Sequence, residues 1–146
     1  MKNIIAKEEI TLNAPANVVW DALTKPELIK QYFFGTYASS DWKEGSPITF
    51  EGDWEGKHYK DKGTILDVIP GRRLRYNFWS SMSGIEDKPE NYVIITYTLD
   101  KKGDNVTNLS ITQQNIPTEE MREHSEQNWR KVMEGLKKLV EGKGRN

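Results

Sequence analysis

The stretch PTEEMREHSEQNWRKVMEGLKKLVEGKG, residues 117–144, decides the fold. Thr118 is a residue type that caps helix N-termini, and Glu119 and Glu120 place negative charge in the first turn, where the helix dipole favours it. Met121, Ser125, Asn128, Trp129, Val132, Leu136, Leu139 and Val140 then recur at i, i+3/i+4 spacing and form one stripe. Lys137 and Lys138 lie near the C-terminal end, and Gly142 and Gly144 are placed to stop the helix. The spacing predicts a helix of roughly 22 residues, about 33 Å long. A helix of that length spans a small domain and needs a broad apolar surface to lie on.

The preceding sequence supplies that surface as strands. Residues 92–100 and 105–114 read as a hairpin around Lys101-Lys102-Gly103-Asp104, with Leu109 and Ile111 alternating with Asn108, Ser110 and Thr112. In residues 72–79, Leu74, Tyr76 and Phe78 take one face and Arg75, Asn77 and Trp79 the other. Pro70-Gly71 marks a turn before that strand, and residues 58–69 and 47–51 read as two more, joined through the turn-rich Gly52-Asp53-Trp54-Glu55-Gly56. Residues 80–91 form a polar loop containing Pro89.

Near the N-terminus, Ile4, Ala6, Glu8, Ile10 and Leu12 approach a period of two, predicting a strand that Asn13-Ala14-Pro15 ends. Pro15 suits the first turn of a helix carrying Val18, Val19, Ala22 and Leu23, with Trp20 on its flank. Thr24 to Glu27 has capping-box spacing, with Pro26 opening a second short helix whose Leu28, Ile29 and Tyr32 face inward. Successive strands with helices segregated to the ends argue α+β. The expectation is one domain over residues 1–146: a curved antiparallel sheet of six to seven strands wrapped around the long C-terminal helix, with two short helices after the first strand. The space between sheet and helix is a candidate cavity.

Composition narrows the chemistry. Aliphatic residues are sparse, but five Trp, six Tyr and four Phe can each bury roughly 150–250 Å² and so supply a core. The formal charge of −1 offers no basic field for nucleic acid. With no cysteine there is no disulfide, thiolate zinc site, iron–sulfur cluster or Cys nucleophile, and the chain suits a reducing cytoplasm. The first apolar run breaks at Lys7-Glu8-Glu9, unlike a signal peptide, and no stretch approaches the ~18 apolar residues of a membrane span.

The usual catalytic constellations are lacking. His58 and His124 are far apart with no metal-ligand spacing, and no cofactor motif appears. Ser39, Ser40, Ser80, Ser81 and Ser125 lack a nucleophile elbow, and His124 and Ser125, adjacent in a helix, point apart. Asp41, Glu44, Glu51, Asp53 and Glu55 near Trp42 and Trp54 are candidate acids or bases; the alternative is a solvated acidic surface pairing across strands with Arg72, Arg73 and Arg75. The most coherent group is aromatic. Trp42, Phe50, Trp54, Tyr76, Phe78, Trp79, Tyr97, Met121, Trp129 and Met133 are candidate lining for the helix–sheet cavity, with Gln113, Ser125, Asn128 and Tyr92 as polar orienters.

Three blocks carry a family resemblance. Val19-Trp20-Asp21-Ala22-Leu23-Thr24-Lys25-Pro26-Glu27-Leu28-Ile29 resembles the opening motif of the START-like (SRPBCC, helix-grip) superfamily. Gly63-Thr64-Ile65-Leu66-Asp67-Val68-Ile69-Pro70, with Arg72-Arg73-Leu74-Arg75-Tyr76, is similar to the middle strands of the subfamily related to the C-terminal domain of the activator of heat-shock chaperone ATPase. His124-Ser125-Glu126-Gln127-Asn128-Trp129 and Leu136-Lys137-Lys138-Leu139 resemble its closing helix, with Asn128 where glycine is usual. The resemblance implies the helix-grip fold and a setting in stress response. The first functional expectation is non-enzymatic binding of a small hydrophobic or aromatic molecule in the cavity, without cofactor. The alternative is a chaperone partner, although the chain resembles only that activator's C-terminal domain and not its chaperone-binding one. A second alternative is a cyclase- or lyase-type enzyme using the same cavity.

Overall fold

Alternation along Ile4–Leu12 produces the first strand, β1, which is followed by helices α1 (Ala16–Thr24) and α2 (Pro26–Tyr32). Six strands come next: β2 (Tyr37–Ser40), β3 (Pro47–Trp54), β4 (Lys57–Ile69), β5 (Arg73–Phe78), β6 (Val93–Gly103) and β7 (Val106–Ile116). The long helix α3 (Glu119–Lys143) closes the chain. The computed structural model describes residues 4–33, 35–81 and 84–143, with the side chains of Trp54 and Lys143 outside the description. All seven strands join one antiparallel sheet in the order β1-β7-β6-β5-β4-β3-β2. The α+β expectation holds, with seven strands.

Local chemistry sets the element boundaries. Thr118 caps α3: the Met121 amide donates to its Oγ1 at 3.1 Å. Arg122 bridges Glu119 and Glu126 at 2.8 Å each, tying the first two turns together. The helix runs through Gly142, which therefore does not stop it, and Gly144 lies outside the described residues. The expected capping box on α2 is absent. Lys25 is the cap residue, and the Thr24 hydroxyl donates back to the Trp20 carbonyl at 2.9 Å. Pro26 still begins α2 because its fixed φ fits the first turn.

Two hairpins are tighter than expected. β3 continues through Gly52-Asp53-Trp54, and the chain reverses at Glu55 and Gly56, both at positive φ (49° and 81°). That pair of left-handed residues is the type I′ turn that matches strand twist. Likewise Lys101, Lys102 and Gly103 remain in β6, and Asp104 and Asn105 make the turn before β7. The short edge strand β2, which pairs with β3, was not expected: Tyr37-Ala38-Ser39-Ser40 has too little apolar alternation to announce itself.

Two bulges aim side chains. Between β1 and β7, Gln114 and Asn115 face the single residue Ile5, and Asn115 takes φ 67°. The extra residue lets both Gln113 and Ile116 turn toward the core side. Between β4 and β5, Leu66 is the extra residue. The core lies between the concave sheet face and the helices. Leu12, Val19, Ile48, Ile65, Leu74, Leu109, Ile111, Leu136 and Val140 are almost fully buried, each stabilising the fold by about 1.5–3 kcal/mol.

Candidate functional site

Strand alternation sends Tyr76 and Phe78 of β5, Tyr97 of β6 and Phe50 of β3 to the concave face, where α3 presents Trp129 and the end of α2 presents Phe33. Five of these rings form a closed cycle. Trp129 meets Phe33 edge-on with centroids 6.0 Å apart, Phe33 stacks on Phe50 at 6.0 Å, and Phe50 meets Tyr76 at 5.8 Å. Tyr76 then meets Tyr97 edge-on at 5.7 Å, and Tyr97 returns to Trp129 edge-on at 6.0 Å. Phe78 joins from outside, edge-on to Phe50 at 5.4 Å. These offset and T-shaped contacts suit the ring quadrupoles, each worth about 0.5–1.5 kcal/mol beyond area burial.

The cycle fills most of the space between sheet and helices. Beside the cycle lies a cavity of about 10 Å³ bordered by Leu23, Ile29, Trp42, Phe50, Tyr76 and Tyr97, among others. That is the scale of a single water molecule. The candidate helix–sheet cavity is thus largely occupied by the protein's own rings. Large flat side chains pack against one another edge-on more completely than their bulk suggests.

Three tyrosine hydroxyls lie among these rings. The Tyr76 and Tyr97 hydroxyls are 2.9 Å apart, and the Tyr32 hydroxyl donates to the Ala22 carbonyl at 2.7 Å. The Tyr76–Tyr97 pair carries two protons and shares one hydrogen bond, so one proton is left over. Burial raises the pKa of all three: Tyr32 and Tyr76 well above the ordinary range, and Tyr97 to about 12. All three are therefore neutral near pH 7. The Trp129 indole donates to Gln113 Oε1 at 2.9 Å, fixing the ring between α3 and β7.

The candidate residues divide in consequence. Phe50, Tyr76, Tyr97, Trp129 and Met133 are buried together, Phe78 and Trp42 are half-buried against them, and Gln113 holds Trp129. Ser125 and Asn128 are half-buried on α3, while Met121 is exposed in its first turn. Trp79 is not in this group: its indole donates to the Ile85 carbonyl at 2.9 Å, with Lys62 Nζ 5.9 Å from the ring. Tyr92 donates to Asp87 at 2.6 Å in the β5–β6 loop, away from the cycle. The Trp54 side chain lies outside the described residues. Phe33 is the member that sequence reasoning missed; its only signal is its place just beyond the inward stripe of α2.

The acidic residues form a surface. Glu51 and Asp53 lie beside His58 at 3.4 and 3.2 Å, all well exposed. Arg73 pairs with Asp67 at 2.6 Å rather than with those acids, the alternative pairing read from the sequence, because Asp67 sits two places away across the β4–β5 ladder. Among the described residues, no group of three or more His, Cys, Asp or Glu side chains is placed to hold a metal ion. No helix among them is long and apolar enough to cross a membrane.

Comparison with known proteins places this geometry. The solution structure of ChR145 from Cytophaga hutchinsonii is 46% identical, with a TM-score of 0.84 over 100% of both chains. The Aha1 dimer from Colwellia psychrerythraea gives a TM-score of 0.72 at 19% identity, over 94% of this chain and 96% of that one. CalU16 from Micromonospora echinospora gives 0.70 at 22%, over 97% of this chain and 84% of that one. The last two show a shared fold. No curated protein matches. The family model described as Activator of Hsp90 ATPase homolog 1-like protein matches residues 13–141. The chain therefore belongs to the Activator of Hsp90 ATPase homolog 1-like family.

Proposed function

We propose that this protein binds one small apolar or aromatic molecule between the sheet and α3, without chemistry, by parting its aromatic cycle. The observation behind this reading is the cycle itself, four of whose rings border a water-sized gap and whose tyrosine pair leaves one proton unshared. An incoming flat ring can replace edge-to-face contacts with similar ones, so opening the cycle costs less than opening an aliphatic core. The unshared proton favours a ligand with one acceptor oxygen. The reading is non-enzymatic because the described residues lining the gap carry no carboxylate or imidazole, and burial moves the tyrosines further from ionising.

A titration with naphthalene and 1-naphthol tests this by protein NMR and thermal melting. Binding shifts the Trp129 indole N–H signal and raises the melting temperature, with 1-naphthol the tighter ligand. Unchanged core signals at saturating probe would overturn the proposal.

A second reading rests on the family match: action on a chaperone ATPase. An ATPase assay with and without this protein tests it. A changed rate supports it, and an unchanged rate removes it.

A further inference from the structure

The outer, convex sheet face carries a second groove, remote from the aromatic cycle. Its wall is the later part of the β5–β6 connection, residues 85–92, which lies over the face and is strapped down. Lys62 pairs with Asp87 at 2.6 Å, Tyr92 donates to the same carboxylate at 2.6 Å, and the Trp79 indole donates to the Ile85 carbonyl at 2.9 Å. Asn115, turned by its bulge, donates to the Glu90 and Tyr92 carbonyls at 2.9 Å each. Long connections held in place this way usually shape a site.

Between strap and sheet lies a groove of about 460 Å³. Pro89, Leu66 and Ile94 give it an apolar lining, and Asn77 and Gln114 give it side-chain amides. Asn77, Ile94 and Gln114 form one row across three central strands, because Ile94 is the register partner of both. The Asn77 Oδ1 already accepts from the Thr64 amide at 2.7 Å, which leaves its NH2 to donate elsewhere.

Arg75 is not among the residues that line the groove, but it is the next outward-facing position along β5 from Asn77. It lies two residues before Asn77 on the same face of the central strand, about 7 Å along it. Its register partners are Thr96 and Asp67, and Leu66 precedes Asp67. Asp67 is taken by Arg73, whose Nε and Nη2 reach it at 2.7 and 2.6 Å. Arg75 makes no hydrogen bond or ion pair among the described residues, and its Nε is buried without a partner. Arg75 is thus a half-buried guanidinium with no carboxylate partner among the described residues. A buried unpaired donor is costly and calls for an acceptor.

We infer that this groove binds a small monocarboxylate with an apolar body: the carboxylate pairs with Arg75, the amides of Asn77 and Gln114 donate to it, and the body rests on Leu66, Ile94 and Pro89. Benzoate and its neutral counterpart benzamide are the probes. In an NMR titration, benzoate shifts the Arg75 Nε–H and the Asn77 and Gln114 side-chain amide signals. Benzamide binds about ten- to a hundredfold more weakly, as expected for losing a charge-assisted pair. Arg75→Gln removes the preference for benzoate. Gln114→Ala, on the solvent side of the sheet, weakens benzoate in a chain that retains Arg75. Equal binding of the two probes overturns the inference, as do benzoate shifts confined to the Trp129 indole and the aromatic cycle, or no shift at all. Failure of naphthalene probes in the core leaves this site untouched, so the two proposals stand or fall separately.

Discussion

The hydroxyls of Tyr76 and Tyr97 meet 2.9 Å apart within the core, on neighbouring strands, among buried rings and aliphatic side chains. Each is the other's sole partner among the described residues. Removing one hydroxyl strands the other, at a cost of about 1–3 kcal/mol, whereas removing both leaves an apolar contact. Tyr76→Phe and Tyr97→Phe should therefore each destabilise the protein, and the double variant should cost clearly less than their sum. Urea denaturation of the four proteins closes this cycle. Strict additivity would mean that the hydroxyls do not interact.

The same burial makes stability depend on alkaline pH. Tyr97 has its pKa raised by desolvation to about 12, and Tyr32 and Tyr76 are raised as well, against about 10 in the unfolded chain. Above pH 10 the unfolded state loses tyrosine protons that the folded state keeps, so ionisation favours unfolding. The stabilising difference is complete below pH 10 and is lost as pH rises toward 12 and beyond. The urea midpoint should stay level with respect to these groups through pH 9 and fall above about pH 10. Tyrosinate absorbance should show the three buried rings ionising only with unfolding.

Much of this architecture is legible in the sequence because periodicity reports burial. Trp129, Val132, Leu136 and Val140 give α3, and Leu74, Tyr76 and Phe78 give the inward face of β5, without any structure. Turn positions are less legible. Glu55 adopts positive φ despite its side chain, so the β3–β4 reversal is displaced from where glycine spacing suggests. The site is legible by composition but not by volume: residue types announce an aromatic interior, whereas only ring orientation decides between a cavity and a filled core. Arg75 cannot be read from sequence at all, because whether a guanidinium finds a carboxylate depends on the bulge at Leu66 and on Arg73 reaching Asp67 first.

Gly63 is required by a close backbone crossing. A Cβ there would lie 1.8 Å from the Asn77 carbonyl oxygen, which belongs to the backbone and cannot rotate away. Gly63→Ala must push β4 from β5, disturbing the Thr64 amide to Asn77 bond as well. The expected loss is on the order of 2 kcal/mol or more, as for other overpacked sites. Gly142→Ala, with open space at its Cβ, is the control and should be neutral or slightly stabilising. Thermal unfolding of both variants checks the contrast.

The exposed edge of β1 is covered by side chains of α3. Glu126 accepts from the Lys7 amide at 3.3 Å, Glu141 accepts from the Asn13 amide at 3.0 Å, and Lys137 donates to the Thr11 carbonyl at 3.3 Å. Bare strand edges recruit other strands. Glu126→Ala with Glu141→Ala should speed hydrogen exchange at Lys7 and Asn13 and promote self-association, read by light scattering. Unchanged exchange at both amides would show that these contacts do not protect the edge.

Trp42 holds its ring over the small cavity from a left-handed backbone, φ 58°, while its amide donates to Ser40 Oγ at 3.0 Å. A bulky residue pays roughly 1–2 kcal/mol to stay in that region. Two substitutions separate backbone strain from ring packing. Trp42→Ala removes the ring and keeps the strain, and Trp42→Gly removes both. The glycine variant should therefore be the more stable of the two by about 1 kcal/mol, although both should lie below the parent because the ring packs on the core. The test reaches function as well. With the ring gone the gap above Tyr76 and Tyr97 is wider, so both variants should bind 1-naphthol faster than the parent in stopped-flow fluorescence. If association is no faster in either, Trp42 is a packing residue and the ligand enters elsewhere.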